Sequence, residues 1–210
     1  MKHLIAIAIL GIWGACANYA TFQEADVLHK GTTKFGIGAT GTTYKVDLGD
    51  PEPETISLPA LNAWVRRGLL DKLEAHAHVW LPLGSSVGVK YQLTGNREMA
   101  GLSFSLGLDF GFLQSRGTNE ADETVKTTQV DTYIPVYIGY RLAPAFAVYA
   151  SPKYILRTNI REAGTAISHL AGGTFGIALG ARTTFHLEGT VMYDFDVSAP
   201  ALQGGVGVAF

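Results

Sequence analysis

The chain has 210 residues and a formal net charge of −2. Only 16% of the residues are charged and 47% are apolar, whereas soluble domains average about 25% charged residues. This composition indicates a single domain with either a buried core or a surface in contact with a membrane. The lack of a basic run argues against nucleic acid as a partner, and the single cysteine excludes an intramolecular disulfide.

The first residues are typical of an export signal. Met1-Lys2-His3 is a short basic start, and residues 4–13 form a largely apolar run that small residues follow. A run of ten residues is too short for a helix that spans a hydrocarbon core of about 30 Å. The segment is therefore predicted to be a secretory signal peptide, which lies outside the fold.

Two processing sites fit the end of this signal. Ala15-Cys16-Ala17 obeys the A-x-A rule and would make Asn18 the first mature residue. Ile12-Trp13-Gly14-Ala15-Cys16 also resembles a lipoprotein box, although Trp13 stands where leucine is usual. Because no disulfide explains a lone cysteine in an exported chain, we expect lipidation at Cys16, and removal of Cys16 stays open as the alternative.

From Gly31 onward the sequence alternates with a period of two, which indicates β-strands. No later stretch approaches the 18 consecutive apolar residues of a transmembrane helix. Ten strands are predicted, at 35–39, 61–66, 73–81, 87–93, 102–112, 133–142, 146–157, 169–180, 184–195 and 201–210. Each of them reaches, or can be extended to, the length of about nine to eleven residues that a tilted membrane strand needs.

The apolar phase of these strands is predicted to face lipid. The other phase is rich in Gly, Ser, Thr and Ala, which suits a crowded lumen, whereas a solvated face would carry more Lys and Glu. Aromatic residues of the apolar phase gather near the strand ends, with aliphatic residues between them, as at the two interfaces of a bilayer. The connections between consecutive strands alternate in length along the chain. Those after even-numbered strands are short, such as 69–72 and 143–145, and those after odd-numbered strands are mostly longer, such as 114–130 and 159–168.

The segment from about Gly31 to Phe210 resembles the small outer-membrane β-barrel proteins of Gram-negative and related bacteria. The resemblance rests on the L-L-D-K turn at 69–72, the L-A-P-A turn at 142–145 and the closing V-G-V-A-F at 206–210. It implies a closed antiparallel up-and-down barrel of about ten strands, with eight as the alternative. It further implies contact with outer-membrane lipid and an assembly signal at Phe210 that the barrel-assembly machinery reads.

The predicted organisation is a signal peptide at 1–15, or 1–17 in the alternative, then a periplasmic tether at 16–31 and a barrel at 32–210. With Cys16 retained, the chain would be similar to the lipoprotein-type barrels. The resemblance carries no catalytic residue and no cofactor onto this sequence, since members of the class differ widely in activity.

Ionisable residues collect on the inward phase. The predicted lumen network comprises Arg66, Glu74, His76, His78, Lys90, Asp109, Arg141, Lys153, His186, Glu188 and Asp194. His76-x-His78 with Glu74 could supply metal ligands, whereas paired charges would let a narrow lumen fill without unpaired ions. We expect the paired network, with no metal site and no catalytic residue.

The expected size of the lumen limits the functions that the barrel can have. Ten strands enclose little more space than eight, whose interior side chains just fill, and five aromatic residues of the inward phase would occupy the surplus. We therefore expect a non-enzymatic structural or surface-interaction barrel that acts through loops such as 114–130. A narrow channel is the alternative, and a lipid-modifying enzyme is a weaker one.

Overall fold

The computed structural model describes residues 18–46, 54–81, 84–118, 124–161, 164–196 and 198–210. Within these ranges the chain forms ten antiparallel strands that close into one barrel. The strands are β1 (Thr33–Val46), β2 (Glu54–Leu70), β3 (Leu73–Leu81), β4 (Gly84–Thr94), β5 (Gly101–Thr118), β6 (Thr124–Ala143), β7 (Phe146–Arg161), β8 (Gly164–Leu179), β9 (Thr184–Asp194) and β10 (Ala199–Ala209). Each strand pairs with its sequence neighbours, and β1 pairs with β10. The predicted closed antiparallel barrel is confirmed, with ten strands rather than eight.

The wall has an apolar outside and a polar inside. Buried and exposed residues alternate along β9, so that His186 and Glu188 are buried while Leu187 is 54% exposed. Other exposed apolar residues of the wall are Phe35, Ile37, Leu61, Val79, Val87, Leu106, Leu108, Phe110, Phe112, Ile134, Tyr140, Phe175, Phe185, Val191, Tyr193, Leu202 and Val206. A folded protein in water does not expose so continuous an apolar surface, whereas a transmembrane β-barrel requires one. None of the described residues belongs to a helix that is long and apolar enough to cross a membrane.

One end of the barrel carries tight turns, and we refer to it as the periplasmic end because periplasmic turns are short in such barrels. The turns 71–72, 144–145 and 180–183 lie there. The last residue also lies there, because the Phe210 N–H donates to the Phe35 carbonyl at 2.8 Å and the Phe35 N–H donates to the Phe210 carbonyl at 3.0 Å. The start of β1 and the end of β10 therefore both lie at the periplasmic end.

At the external end, paired strands replace most of the predicted loops. β5 and β6 remain paired as far as Thr118 and Thr124, and β7 and β8 as far as Arg161 and Gly164. The prediction of long loops at 114–130 and 159–168 is wrong for most of both segments. The stretch T-V-K-T-T at 124–128 is rich in Thr, which favours a strand, but it lacks the regular alternation of apolar residues that marks the membrane-spanning part.

The interior of the barrel holds the residues before β1. Asn18–Leu28, which we call the luminal segment, are buried almost throughout, and Phe22 has no exposed surface. A periplasmic tether at 16–31 was expected, and the structure instead places the larger part of that range inside the barrel. Cys16 and the predicted signal peptide lie outside the described residues.

A tight crossing connects the luminal segment to the wall. Gly31 has a φ of 82°, which favours glycine. Its N–H donates to the Gly68 carbonyl at 2.8 Å, and the Gly68 N–H donates to the Thr32 carbonyl at 3.0 Å. A Cβ on Gly68 would lie 2.2 Å from the His29 carbonyl oxygen. Because Gly68 has no side chain, it leaves room for the backbone where the chain passes from the lumen into β1.

Candidate functional site

The luminal segment forms no helix or strand, so its backbone groups need other partners. A buried N–H or C=O without a partner is costly, and the inward side chains of the wall supply these partners. Glu188 accepts hydrogen bonds from two successive N–H groups, those of Thr21 at 2.8 Å and Phe22 at 2.6 Å. Gln203 accepts the N–H of Tyr19 at 2.9 Å. The polar phase of the barrel thus takes the place of a neighbouring strand.

The same arrangement continues towards the periplasmic end. There Glu74 accepts the N–H of Leu28 at 2.8 Å. Deeper in the lumen, Lys153 donates to the Tyr19 carbonyl at 2.6 Å. Gln92 accepts the N–H of Val27. The other side-chain donors to carbonyls of this backbone are Thr174 to Tyr19, Ser105 to Ala25, Lys90 to Glu24 and Arg66 to Asp26. Because these partners come from strands all around the wall, the segment is fixed on every side.

Two carboxylates of the luminal segment join the ion network of the wall near the periplasmic end. Arg141 donates to Glu24 and also to Asp26, the latter at 2.8 Å. Arg97, in the turn after β4, lies 3.5 Å from Glu24, and Ser103 donates to Asp26. Buried charges persist when they are paired and hydrogen-bonded, so these contacts explain how two acids are accommodated inside the barrel.

Glu74 is the centre of a second group of charges. Arg66 donates to both of its oxygens, with Nε at 2.7 Å and Nη2 at 2.9 Å, and Lys90 Nζ lies 3.4 Å away. The bidentate geometry is the strong form of an arginine–carboxylate pair. All three side chains are almost fully buried, so the cluster connects the neighbouring strands β2, β3 and β4 on the inner face of the wall.

Further into the barrel the charged groups pair with one another and with polar side chains. Arg157 makes a bidentate contact with Asp131, at 3.0 and 2.9 Å. His76 Nε2 lies 3.0 Å from Asp109, and His78 Nε2 lies 3.0 Å from the side-chain oxygen Oδ1 of Asn62. The two histidines therefore bind different partners.

An aromatic stack anchors the middle of the luminal segment. The rings of Phe22 and Trp64 are stacked, with centroids 4.7 Å apart and planes 11° from parallel. Phe22 has a φ of 46°, a region that costs roughly 1–2 kcal/mol for a residue with a side chain. The two hydrogen bonds to Glu188 and the stack compensate for this backbone conformation.

Glycines of the terminal strands make room for this stack. A Cβ on Gly207 would lie 2.6 Å from Trp64 and 3.1 Å from Phe22, and a Cβ on Gly36 would lie 2.2 Å from Trp64. Gly205 lies against Phe22 as well, at 3.0 Å. The glycine-rich inward face of the last strand is thus explained by the rings that fill the space beside it.

A cavity of about 40 Å³ remains beside the first residues of the segment. Asn18, His76, Trp80, Asp109, Tyr133 and Lys153 are among the residues that line it. Such a volume holds a few water molecules, since one water needs about 10–15 Å³ on this measure. This cavity therefore has room for water between the luminal segment and the wall.

The structure places ten of the eleven predicted network residues in the lumen. His186 faces the Tyr149 hydroxyl at 3.2 Å, and that hydroxyl donates to Glu188 at 2.7 Å. Asp194 differs, because it is half-buried at the external end of β9 and accepts the N–H of Asp196. Among the described residues, no group of three His, Cys, Asp or Glu side chains is placed to hold a metal ion.

Sequence reasoning missed the partners that the luminal segment brings. Glu24 and Asp26 fell in the expected tether, and Asp131 fell between the expected loop at 114–130 and the expected strand at 133–142. One signal was available: the predicted network with Arg157 contains five cations but only four carboxylates, and Asp194 is one of those four. The missing negative charge lay in Q-E-A-D at 23–26.

No protein-family model matches the chain, and the search of curated proteins finds no similar sequence. Among solved structures, Neisserial surface protein A is 7% identical, with a TM-score of 0.45 over 84% of this chain and 95% of that one. The translocator domain of autotransporter NalP from Neisseria meningitidis is 8% identical, with a TM-score of 0.45 over 100% and 94%. Ail, the attachment invasion locus protein of Yersinia pestis, is 10% identical, with a TM-score of 0.34 over 86% and 99%.

The wall itself determines the location of the protein. A closed barrel satisfies its backbone groups without an edge, which a chain in lipid must achieve. Its outer face carries an aliphatic band between aromatic residues at both ends, for example Leu187 between Phe185 and Tyr193 on β9. The protein is an integral β-barrel of the bacterial outer membrane.

Proposed function

We propose that this protein is a non-enzymatic outer-membrane barrel that its own N-terminal segment closes, and that it acts as a structural or surface-interaction scaffold. The observation that carries the proposal is the burial of the luminal segment in a lumen whose polar groups bind it. A solute pore needs a continuous aqueous path, and the cavity beside Asn18 has a volume of only about 40 Å³.

The external strand ends support a role at the cell surface. β4 and β5 are paired only as far as Gly84 and Leu113, so β5 extends beyond its neighbour up to Thr118. β8 and β9 are paired only as far as Leu170 and Asp194, while β8 starts at Gly164. The four strands β5–β8 thus form a projection with two open sheet edges, and such exposed elements on a rigid barrel are where binding residues tend to lie.

The closed state is tested by planar-bilayer recording of the purified protein. We expect the wild type to give no stable conductance, and the double variant Glu24→Gln, Asp26→Asn to give stepwise openings because it weakens the contacts with Arg141. Asp131→Asn is the matched control, since Asp131 pairs with Arg157 within the wall and its loss leaves the luminal segment in place. Stable wild-type conductance would favour the narrow channel instead.

The surface role is tested on intact cells. An epitope inserted between Glu120 and Ala121, in the β5–β6 connection, should be detected by antibody without permeabilisation. The same epitope inserted between Asp71 and Lys72, in a periplasmic turn, should be detected only after permeabilisation. The reverse result would place the β5–β8 projection in the periplasm and remove the basis of the surface-interaction proposal.

A further inference from the structure

The depth of Asn18 in the barrel bears on how the protein is processed. The Asn18 amide nitrogen Nδ2 donates to Asn62 at 2.6 Å and lies 3.3 Å from His78. Asn62 is eight residues along β2 from Leu70, and His78 is five residues along β3 from Leu73. At about 3.3 Å per residue and a strand tilt of about 40°, Asn18 lies roughly 13–20 Å above the periplasmic turns.

This depth conflicts with a lipid anchor two residues earlier. Two extended residues span at most about 7 Å, which does not return the chain from Asn18 to the periplasmic rim. The lumen on that side is filled by Tyr19–Leu28. The wall offers no lateral exit either, because strand pairing continues around the whole barrel. Acyl chains on Cys16 would therefore have no path to the periplasmic leaflet while the luminal segment stays docked.

The charges around residues 18–22 point in the same direction. Three carboxylates of the wall lie there: Asp109 lines the cavity with Asn18, Glu188 binds the segment, and Asp131 belongs to the adjoining pair. Two cations face them, Lys153 and Arg157, and His76 Nε2 lies 3.0 Å from Asp109. Buried charges need compensation, and a free α-ammonium group on Asn18 would place a further positive charge at the cavity that Asp109 lines.

We propose that export processing cleaves the Ala17–Asn18 peptide bond and leaves the new amino terminus inside the lumen. The reaction is a hydrolysis that consumes one water molecule: the amide C–N bond breaks, Ala17 gains a carboxylate, and Asn18 gains an α-ammonium group. Ala15 and Ala17 supply the small residues that this cleavage requires. Cys16 leaves with the signal peptide, so the mature chain has no cysteine and no lipid.

The test is the intact mass of the mature protein from wild-type cells and from two variants. Cys16→Ser removes the only lipid attachment point but keeps an A-x-A site, so it should give a mature protein identical in mass to the wild type, beginning at Asn18. Ala17→Leu puts a large residue at the cleaved bond, so it should accumulate uncleaved precursor. The lipoprotein route gives the opposite pattern, in which Cys16→Ser alters the mature mass and Ala17→Leu still yields acylated protein starting at Cys16.

A second measurement reports where the amino terminus lies. Amine-reactive labelling at neutral pH, followed by peptide mapping, should modify Asn18 slowly in the folded barrel and rapidly after unfolding in urea. Exposed Lys72 serves as the internal control, because it lies in a periplasmic turn in the folded protein. A wild-type protein that begins at an acylated Cys16, or an Asn18 labelled as fast as Lys72 in the folded state, would overturn the proposal.

Discussion

Phe22→Ala should open the barrel without unfolding it. Phe22 is fully buried and stacks on Trp64, and truncation of a buried phenylalanine costs about 3–5 kcal/mol. The luminal segment can leave while the strand ladders stay intact, so we expect most of this loss to weaken docking of the segment. At about 1.4 kcal/mol per tenfold change, the equilibrium between docked and released segment should shift by roughly two to four orders of magnitude.

The assay is stepwise conductance in a planar bilayer, combined with gel mobility of unheated samples as a measure of the intact barrel. Phe175→Ala is the matched control, because Phe175 is 62% exposed on the lipid face. Gly207→Ala should act like Phe22→Ala, since its Cβ would clash with Trp64, whereas Gly204→Ala on the same strand meets no atom within 4 Å. If Phe22→Ala stays closed and both glycine variants behave alike, the stack does not anchor the segment.

Three further perturbations separate the parts of the structure. Deletion of Phe210 should impair membrane assembly more than removal of residues 119–123, because it breaks both hydrogen bonds to Phe35; unchanged yield of heat-modifiable barrel would contradict this. Glu188→Ala should lower the unfolding temperature, with a loss of a few kcal/mol in the free energy of unfolding. Glu188→Gln should lose less stability because one acceptor oxygen remains. Equal losses of stability in the two variants would show that the hydrogen bonds from the two N–H groups do not matter. Gly68→Ala should displace the crossing at His29 and raise conductance, and a closed barrel of normal stability would refute that steric argument.

The membrane-spanning part of the fold was predictable because lipid on one side and crowding on the other impose a strict period of two. β9 illustrates this, since Leu187 and Val191 face lipid while His186 and Glu188 face the lumen. The sequence at the external ends of β5 and β6 does not alternate between apolar and polar residues, so no apolar face marks them. Strand pairing between Thr118 and Thr124 therefore became visible only in the structure.

The luminal segment was not predictable from its own residues. Residues Asn18–Leu28 show neither the period of two of a strand nor the period of 3.6 of a helix. An irregular chain that side chains bind is under no constraint to alternate. Its binding site is assembled from Gln92, Glu188 and Gln203, which lie far apart in sequence and meet only when the barrel closes. The sequence identified most of the residues that face the lumen. It did not identify their partners, because these residues bind the luminal segment as well as one another.

The position of the stack links docking of the segment to closure of the wall. Trp64 and Phe22 lie against Gly205 and Gly207 of β10, and Trp64 also lies against Gly36 of β1, so the stack covers the seam where the first and last strands pair. The space that the Phe22 and Trp64 rings occupy beside these glycines forms only once β1 and β10 are paired. Ordered docking of Phe22 thus depends on a closed seam, and a docked Phe22 in turn stabilises that seam from inside. The glycine-rich end of the chain, which predicts the barrel from sequence, is for the same reason the surface that receives the N-terminal segment.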